Sequence, residues 1–290
     1  MLRKDLSVDN IGILLAIKQR LPSLPVQERK VADYVLSHPY EAVGRSITGL
    51  ACVSGVGNTT VSRLCRRLGM DGYRQFKIEL AKETGSPENL IYTEVKPGET
   101  LPNVAQRIFA TNIQALRDTQ KVLDMEALEQ AVSAILHARR VDIYSTGGAG
   151  IAARELHFKC MQLGINTNAF LDSQMQVMSA ASLTREDVGF GISHSGMQRH
   201  VAEALKLAGS AGATTVALTS FSATPVAEAA DIVLYTASLA ADVSYDSPSI
   251  RNAQLAVVDV LYEALLMQGQ ESARDKMARV AKSISDHLAG

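Results

Sequence analysis

Beyond Arg139 the hydrophobic pattern changes period, and this constrains the fold more than any other feature of the chain. Short apolar runs alternate with helical stretches. Strands are expected at Val141–Ser145, Asn168–Leu171, Val188–Ile192, Thr215–Leu218 and Ile232–Tyr235. Helices are expected between them, at about Gly150–Leu163, Gln174–Ala180, His200–Ala211 and Val226–Ala229, with a long closing helix near Arg251–Met267. Such alternation implies a parallel sheet covered by helices on both faces.

The first 85 residues read differently, as almost wholly helical. Ile11, Leu14, Leu15, Ile17 and Leu21 form one apolar face, which Pro22 and Pro25 end. Val26, Val31, Tyr34, Val35 and Leu36 continue at helical spacing as far as His38-Pro39. The best linker candidate is Thr84–Leu101, with Gly85, Pro87, Pro97 and Gly98. Two further helices are expected at about Asn103–Gln120 and Met125–Ala138. The expected division is therefore 1–85, a linker at 86–101, and 102–290.

Charge follows the same division. Residues 1–85 hold 13 Lys/Arg and 8 Asp/Glu, a net +5, while residues 86–290 hold 16 and 22, a net −6. A basic excess beside an acidic domain suits a phosphate-facing module, although many domains of similar charge never touch DNA. Cys52, Cys65 and Cys160 show no CxxC spacing and read as buried free thiols of a reducing cytoplasm, with no metal site. No apolar run reaches the ~18 residues of a membrane span, and the first residues lack a signal-peptide pattern. A cytoplasmic protein without a membrane partner is expected.

Within the basic module, Ser46–Lys77 reads as two short helices joined by the turn Ser54-Gly55-Val56-Gly57. Ser46 caps the first helix, and Asn58 or Thr59 the second. Val61, Leu64, Cys65 and Leu68 point to a core. Thr59, Thr60, Ser62, Arg63, Arg66 and Arg67 remain outside. Short hydroxyls at a helix start approach phosphates and base edges, and arginine forks match guanine or phosphate. Tyr73, Arg74 and Lys77 add backbone contacts. The plainer alternative is a solvated helix face with ordinary surface arginines.

In the α/β region three turns converge. Ser145-Thr146-Gly147-Gly148-Ala149-Gly150 follows a strand and opens a helix, where small residues let backbone N–H groups approach an anion. A tight strand–helix turn needs Gly in any case. Ser193-His194-Ser195-Gly196 offers two hydroxyls and backbone N–H groups, or serines that merely cap a turn. Ser173, after Asp172, reaches the same pocket or caps its own helix. His194 and His200 flank the pocket without a required role.

These residues together resemble the RpiR family of bacterial regulators over nearly the whole length. The resemblance rests on LPVQERKVADYVLSHP, GNTTVSRLCRRLG and GYRQFKIELA, then on GGAGIAARELHFKCMQLG, GISHSG, TTVALT and AEAADIVLYT. It implies a helix-turn-helix domain joined to a three-layer sugar isomerase (SIS) domain with a five-stranded parallel sheet that dimerises or tetramerises. It implies a transcription regulator of carbohydrate metabolism whose affinity for a double-stranded operator responds to a phosphorylated sugar or sugar acid. No catalytic residue and no cofactor are expected. The chain departs from the family pattern at Ala149, where a phosphate-contacting serine is usual, and at Gln198, where a threonine is usual. The alternative is a sugar-phosphate isomerase or related SIS-fold enzyme, for which Glu155, His157 and His194 are the candidate bases.

Overall fold

A computed structural model describes residues 11–84, 98–237 and 248–289. The chain divides into two units. One holds the described residues through Val122, with Phe221–Ala223 and Ala237; the other holds Leu123–Ser220, Thr224–Thr236 and 248–289. Most of the expected linker lies outside the described residues. The helix from Leu101, which the sequence division places with 102–290, groups instead with the first unit.

The first unit is helical: α1 Ile13–Arg20, α2 Val26–Ser37, α3 Pro39–Gly44, α4 Ile47–Val53, α5 Asn58–Arg67, α6 Tyr73–Thr84 and α7 Leu101–Val122. Pro22 falls in the 3₁₀ turn that follows α1, and Pro25 is the N-cap of α2, as a ring that fixes φ and removes a donor requires. Ile13, Leu14, Ile17, Val31, Val35, Leu50, Leu64, Phe76 and Leu80 are buried. Val26, expected on the apolar face of α2, is instead exposed because it opens the helix at N1. Gly12 takes φ +85°, and a Cβ there would lie 2.1 Å from Glu83 Oε1. The missing side chain lets the Glu83 carboxylate accept a hydrogen bond from Leu14 N at 3.1 Å, at the start of α1.

The second unit runs α8 Met125–His137, β1 Arg140–Ser145, α9 Gly150–Gln162, β2 Thr167–Phe170, α10 Ser173–Ala181, β3 Asp187–Ser193, α11 Arg199–Ser210, β4 Thr214–Thr219, α12 Pro225–Glu228, β5 Ile232–Tyr235, α13 Pro248–Gln268 and α14 Gln270–Ala289. The sheet is wholly parallel in the order β2-β1-β3-β4-β5. Successive strand residues face opposite layers. Val141, Ile143, Phe190, Ile192, Val216 and Leu218 share one core with residues of α8, α9 and α13. Tyr144 and Ala217 share the other with residues of α10 and α11.

Two strand glycines set the depth of that second layer. A Cβ on Gly191 would stand 2.7 Å from Leu205 Cδ1, and one on Gly189 would stand 2.9 Å from Ala208 Cβ. Helix α11 therefore lies closer to β3 than any side chain there would allow. Asp142 carries a carboxylate into the same layer and is satisfied there. It accepts from Asn168 Nδ2 at 3.1 Å and from the Ser179 hydroxyl, and Arg140 Nε lies 3.3 Å away.

Of the three thiols, Cys65 and Cys160 are buried as expected, and burial pushes each up to about 12. Cys52 corrects the expectation: it is exposed, on the solvent side of the short α4.

Candidate functional site

The helix pair forms as its turn chemistry requires. Ser46 Oγ accepts from Gly49 N at 3.1 Å and caps α4. At the other end Gly55 stands at φ +65°, Val56 N reaches Ala51 O at 2.9 Å and Gly55 N reaches Cys52 O at 3.1 Å. This paired closure needs a left-handed residue, which glycine supplies without strain. The start of α5 differs from expectation. Gly57 is the N-cap, without a side-chain cap, and neither Asn58 nor Thr59 fills that place. Asn58 instead donates through Nδ2 to Thr48 Oγ1 at 3.2 Å, which pins α5 to α4.

Val61, Leu64 and Cys65 of α5 are buried, as is Leu68 just beyond it. Thr59, Arg63 and Arg66 are exposed, and Thr60 and Ser62 are half-buried. The three arginines are not equivalent. Arg67 Nε donates to Glu28 Oε2 at 2.7 Å, so its guanidinium is bound to α2. Tyr73 is similarly engaged, its hydroxyl donating to Arg45 O at 3.1 Å. Lys77, half-buried on α6, completes the expected set.

In the second unit the strand order reverses direction between β1 and β3, and the turns after these two strands lie side by side. Ser145 is in register with Ile192, and Ser145 Oγ donates to Ile192 O at 2.9 Å. That bond occupies the Ser145 hydroxyl within the sheet. In an open parallel sheet such a reversal leaves a crevice at the C-terminal strand ends, where ligands bind. Two long helices, α9 and α11, begin there and turn their positive ends toward it.

The turn after β1 passes from Thr146 through Gly147, at φ +63°, into a 3₁₀ turn of Gly147–Ala149 before α9. Ala149 is buried. A Cβ on Gly150 would meet Leu171 Cδ2 at 3.3 Å, so this turn is closely packed against the end of β2.

The turn after β3 folds on its own hydroxyls. Gly196 N donates to Ser193 Oγ at 3.0 Å, and Met197 N donates to Ser195 Oγ at 3.2 Å. Gly196 has φ +68°, and a Cβ there would lie 2.1 Å from Thr224 Oγ1, so no other residue fits. Val226 N closes the turn on Gly196 O at 3.0 Å. His194 is buried, its Nδ1 3.0 Å from Ser220 Oγ, which lies 2.7 Å from Thr236 Oγ1. Gln198 Nε2 reaches across to Thr146 O at 3.4 Å and joins the two turns.

The third turn corrects one reading. Asp172 caps α10, its Oδ1 accepting from Gln174 N and Met175 N, both at 3.0 Å. Ser173 is not the cap; it is the half-buried first residue of the helix. Sequence reasoning missed Gln176, fully buried on α10, whose Nε2 donates to Ser145 O at 2.9 Å and Phe170 O at 3.0 Å. A glutamine inside an amphipathic helix carries no signal of such a role.

The candidate bases have these neighbours. Glu155 lies 3.9 Å from Lys159 Nζ, and His157 Nδ1 is 2.7 Å from Thr167 Oγ1. Among the described residues no three His, Cys, Asp or Glu side chains cluster as a metal site requires, and no helix is long and apolar enough to cross a membrane.

A three-layer α/β unit with two hydroxyl- and glycine-rich turns at its reversal point, in a chain that also carries a basic helix pair, defines a class: a helix-turn-helix protein joined to a sugar-isomerase-like domain. Comparison with known proteins agrees. The profile described as "Helix-turn-helix domain, rpiR family" matches residues 11–87, and that of the SIS domain matches residues 134–264. The HTH-type transcriptional regulator YbbH of Bacillus subtilis is 33% identical over 262 residues, 90% of this chain and 93% of that one. An HTH-type transcriptional regulator of Haemophilus influenzae is 35% identical, covering 90% and 91%. The solved structure of the Vibrio vulnificus NanR protein complexed with ManNAc-6P has a TM-score of 0.60 at 24% identity, covering 94% of this chain and 98% of that one, and so shares its fold. The chain belongs to the RpiR family of helix-turn-helix transcriptional regulators.

Proposed function

We propose that this regulator's affinity for its DNA operator is controlled by a phosphorylated sugar or sugar acid held between the turns after β1 and β3. The observation that carries the reading is the placement of Ser193, Ser195 and Gly196 beside Thr146–Ala149 at the strand-order reversal, with two helix N-termini converging there. Hydroxyls, backbone N–H groups and helix dipoles are the chemistry that holds a phosphate without a metal. NanR, which shares the fold, was solved with a phosphorylated amino sugar. Gly148 and Ser173 complete the proposed ligand surface, with the buried Ser145 and His194 behind it.

On the DNA side the proposed contacts are Ser46, Asn58, Thr59, Thr60, Arg63, Arg66 and Lys77, with Arg67 and Tyr73 holding the helix pair as well as facing phosphate. Two copies of the chain would present two recognition helices to a two-fold operator, and effector binding would favour one arrangement of that dimer or tetramer. The domain division 1–85, 86–101 and 102–290 belongs to the same proposal, with the helix Leu101–Val122 grouped with the first unit. So does a non-enzymatic role: His194 faces hydroxyls in the interior rather than standing ready as a base.

A thermal-shift screen of phosphorylated sugars and their unphosphorylated forms tests the reading. An effector at 100 times its dissociation constant adds about 2.7 kcal/mol of stability. Stabilisation by phosphorylated compounds alone supports it. Stabilisation by unphosphorylated compounds alone, or turnover of any sugar phosphate, contradicts it.

A further inference from the structure

Gln176 on α10 and Gln198 at the start of α11 approach the same turn from different helices. Gln176 Nε2 donates to Ser145 O at 2.9 Å and to Phe170 O at 3.0 Å; Gln198 Nε2 donates, over a longer 3.4 Å, to Thr146 O. Ser145 and Thr146 are consecutive, so one peptide segment orients both carboxamides. A carbonyl accepts and never donates, and this fixes which end of each amide faces the turn. The other end of each is then an acceptor. Both Oε1 atoms are buried and neither has a hydrogen-bond partner among the described residues. Gln176 as a whole is fully buried. Buried acceptors left unpaired are rare and costly, and two at one strand end require an explanation.

We infer that Gln176 and Gln198 form a paired acceptor subsite that recognises hydrogen-bond donors on the sugar portion of the effector, hydroxyls or an amide N–H. The inference rests on the phosphosugar reading above and deepens it. The Ser193–Gly196 turn supplies donors, which suit the phosphate; the glutamine pair supplies acceptors, which repel phosphate oxygens and attract sugar hydroxyls. Division of the pocket into a donor half and an acceptor half selects a polyhydroxylated phosphate over inorganic phosphate. The place of Gln198, where the family usually has a threonine, then marks a change in which part of the effector is read.

Isothermal titration of the full chain with N-acetylmannosamine 6-phosphate, glucose 6-phosphate and inorganic phosphate tests this, with Gln198→Met and Gln176→Met beside the parent. Methionine keeps the length of the side chain and removes the acceptor together with the Nε2 donor, so inorganic phosphate serves as the reference for any loss that comes from the donor bonds alone. Each variant is expected to lose about tenfold more affinity for the sugar phosphate that the parent binds than for inorganic phosphate, the loss of one buried hydrogen bond to the sugar. Gln198→Met is the decisive variant should Gln176→Met fail to fold, because Gln198 is only half-buried. Undiminished sugar phosphate binding in a folded variant overturns the subsite alone. Equal weakening toward inorganic phosphate overturns it too, since the residues would then serve the phosphate. Absence of binding of either sugar phosphate by the parent overturns the phosphosugar reading and the subsite with it.

Discussion

Arg67 Nε lies 2.7 Å from Glu28 Oε2 and ties the last turn of α5 to α2, although 39 positions separate the two residues. Glu28 is almost fully buried, and the ion pair raises the Arg67 guanidinium further above its ordinary range. The neighbouring Arg63 and Arg66 make no such bond among the described residues and stay exposed.

These arginines should therefore separate on mutation. Arg63→Ala is expected to weaken operator binding about tenfold or more while leaving the melting temperature unchanged, since a bidentate base contact is worth about 1–3 kcal/mol. Arg67→Ala is expected to destabilise the helical unit by about 1–3 kcal/mol, because Glu28 is left buried without its partner. A filter-binding titration and a thermal melt on each variant check this. Equal behaviour of the two variants would remove the distinction.

Ser195 and Ser145 form a second contrasting pair. Ser145 Oγ is bound to Ile192 O inside the sheet, whereas Ser195 Oγ accepts from Met197 N of its own turn. Ser195→Ala is expected to reduce effector affinity about tenfold with DNA binding intact, as the loss of a hydrogen bond to a charged group implies. Ser145→Ala should cost about 1 kcal/mol of stability and change effector affinity less. Calorimetric titration of both variants with the same effector gives the comparison.

Gly196→Ala tests the turn itself. The backbone there is left-handed at φ +68°, and a Cβ falls 2.1 Å from Thr224 Oγ1. Strain and overlap together are expected to cost at least about 1–3 kcal/mol and to abolish the effector response. A variant of unchanged melting temperature would show that the turn yields more readily than its packing implies.

Asp187 makes stability depend on acid. Arg139 binds its carboxylate at 2.9 and 2.8 Å, and Thr184 donates to it from N and Oγ1. With the Arg139 bonds first among the causes, the group is held at about 2, below its ordinary 3.8. A depressed carboxylate contributes stability that is fully present above its unfolded value and is lost as pH falls through the folded value. The contribution, about 1–2 kcal/mol, should therefore fade between about pH 4 and pH 2. Denaturant melts of Asp187→Asn should differ from the parent at pH 7 and converge with it toward pH 2. A constant difference across that range would assign the effect to packing.

The sheet was legible because its signals are local. All five expected strands agree with β1 to β5 within one residue at each end, since each is a short apolar run bounded by turn residues. The turns after β1 and β3 were legible for the same reason. What sequence could not show depends on pairings across space. Nothing near Arg67 announces Glu28, and nothing near Gln176 announces the carbonyls of Ser145 and Phe170. The caps were ambiguous in a different way. Asp172 and Ser173, or Gly57 and Asn58, are adjacent residues that both favour the N-cap, and the backbone chose the first of each pair.

The most direct test of the account is DNA binding measured with and without effector. DNA selected from a random-sequence pool by the full chain would be titrated in a gel shift, alone and with each phosphorylated sugar that stabilises the protein. One such compound is expected to change DNA affinity about fivefold or more, and Ser195→Ala to lose this response while still binding the DNA. Unchanged DNA affinity at effector concentrations that saturate the α/β unit would contradict it.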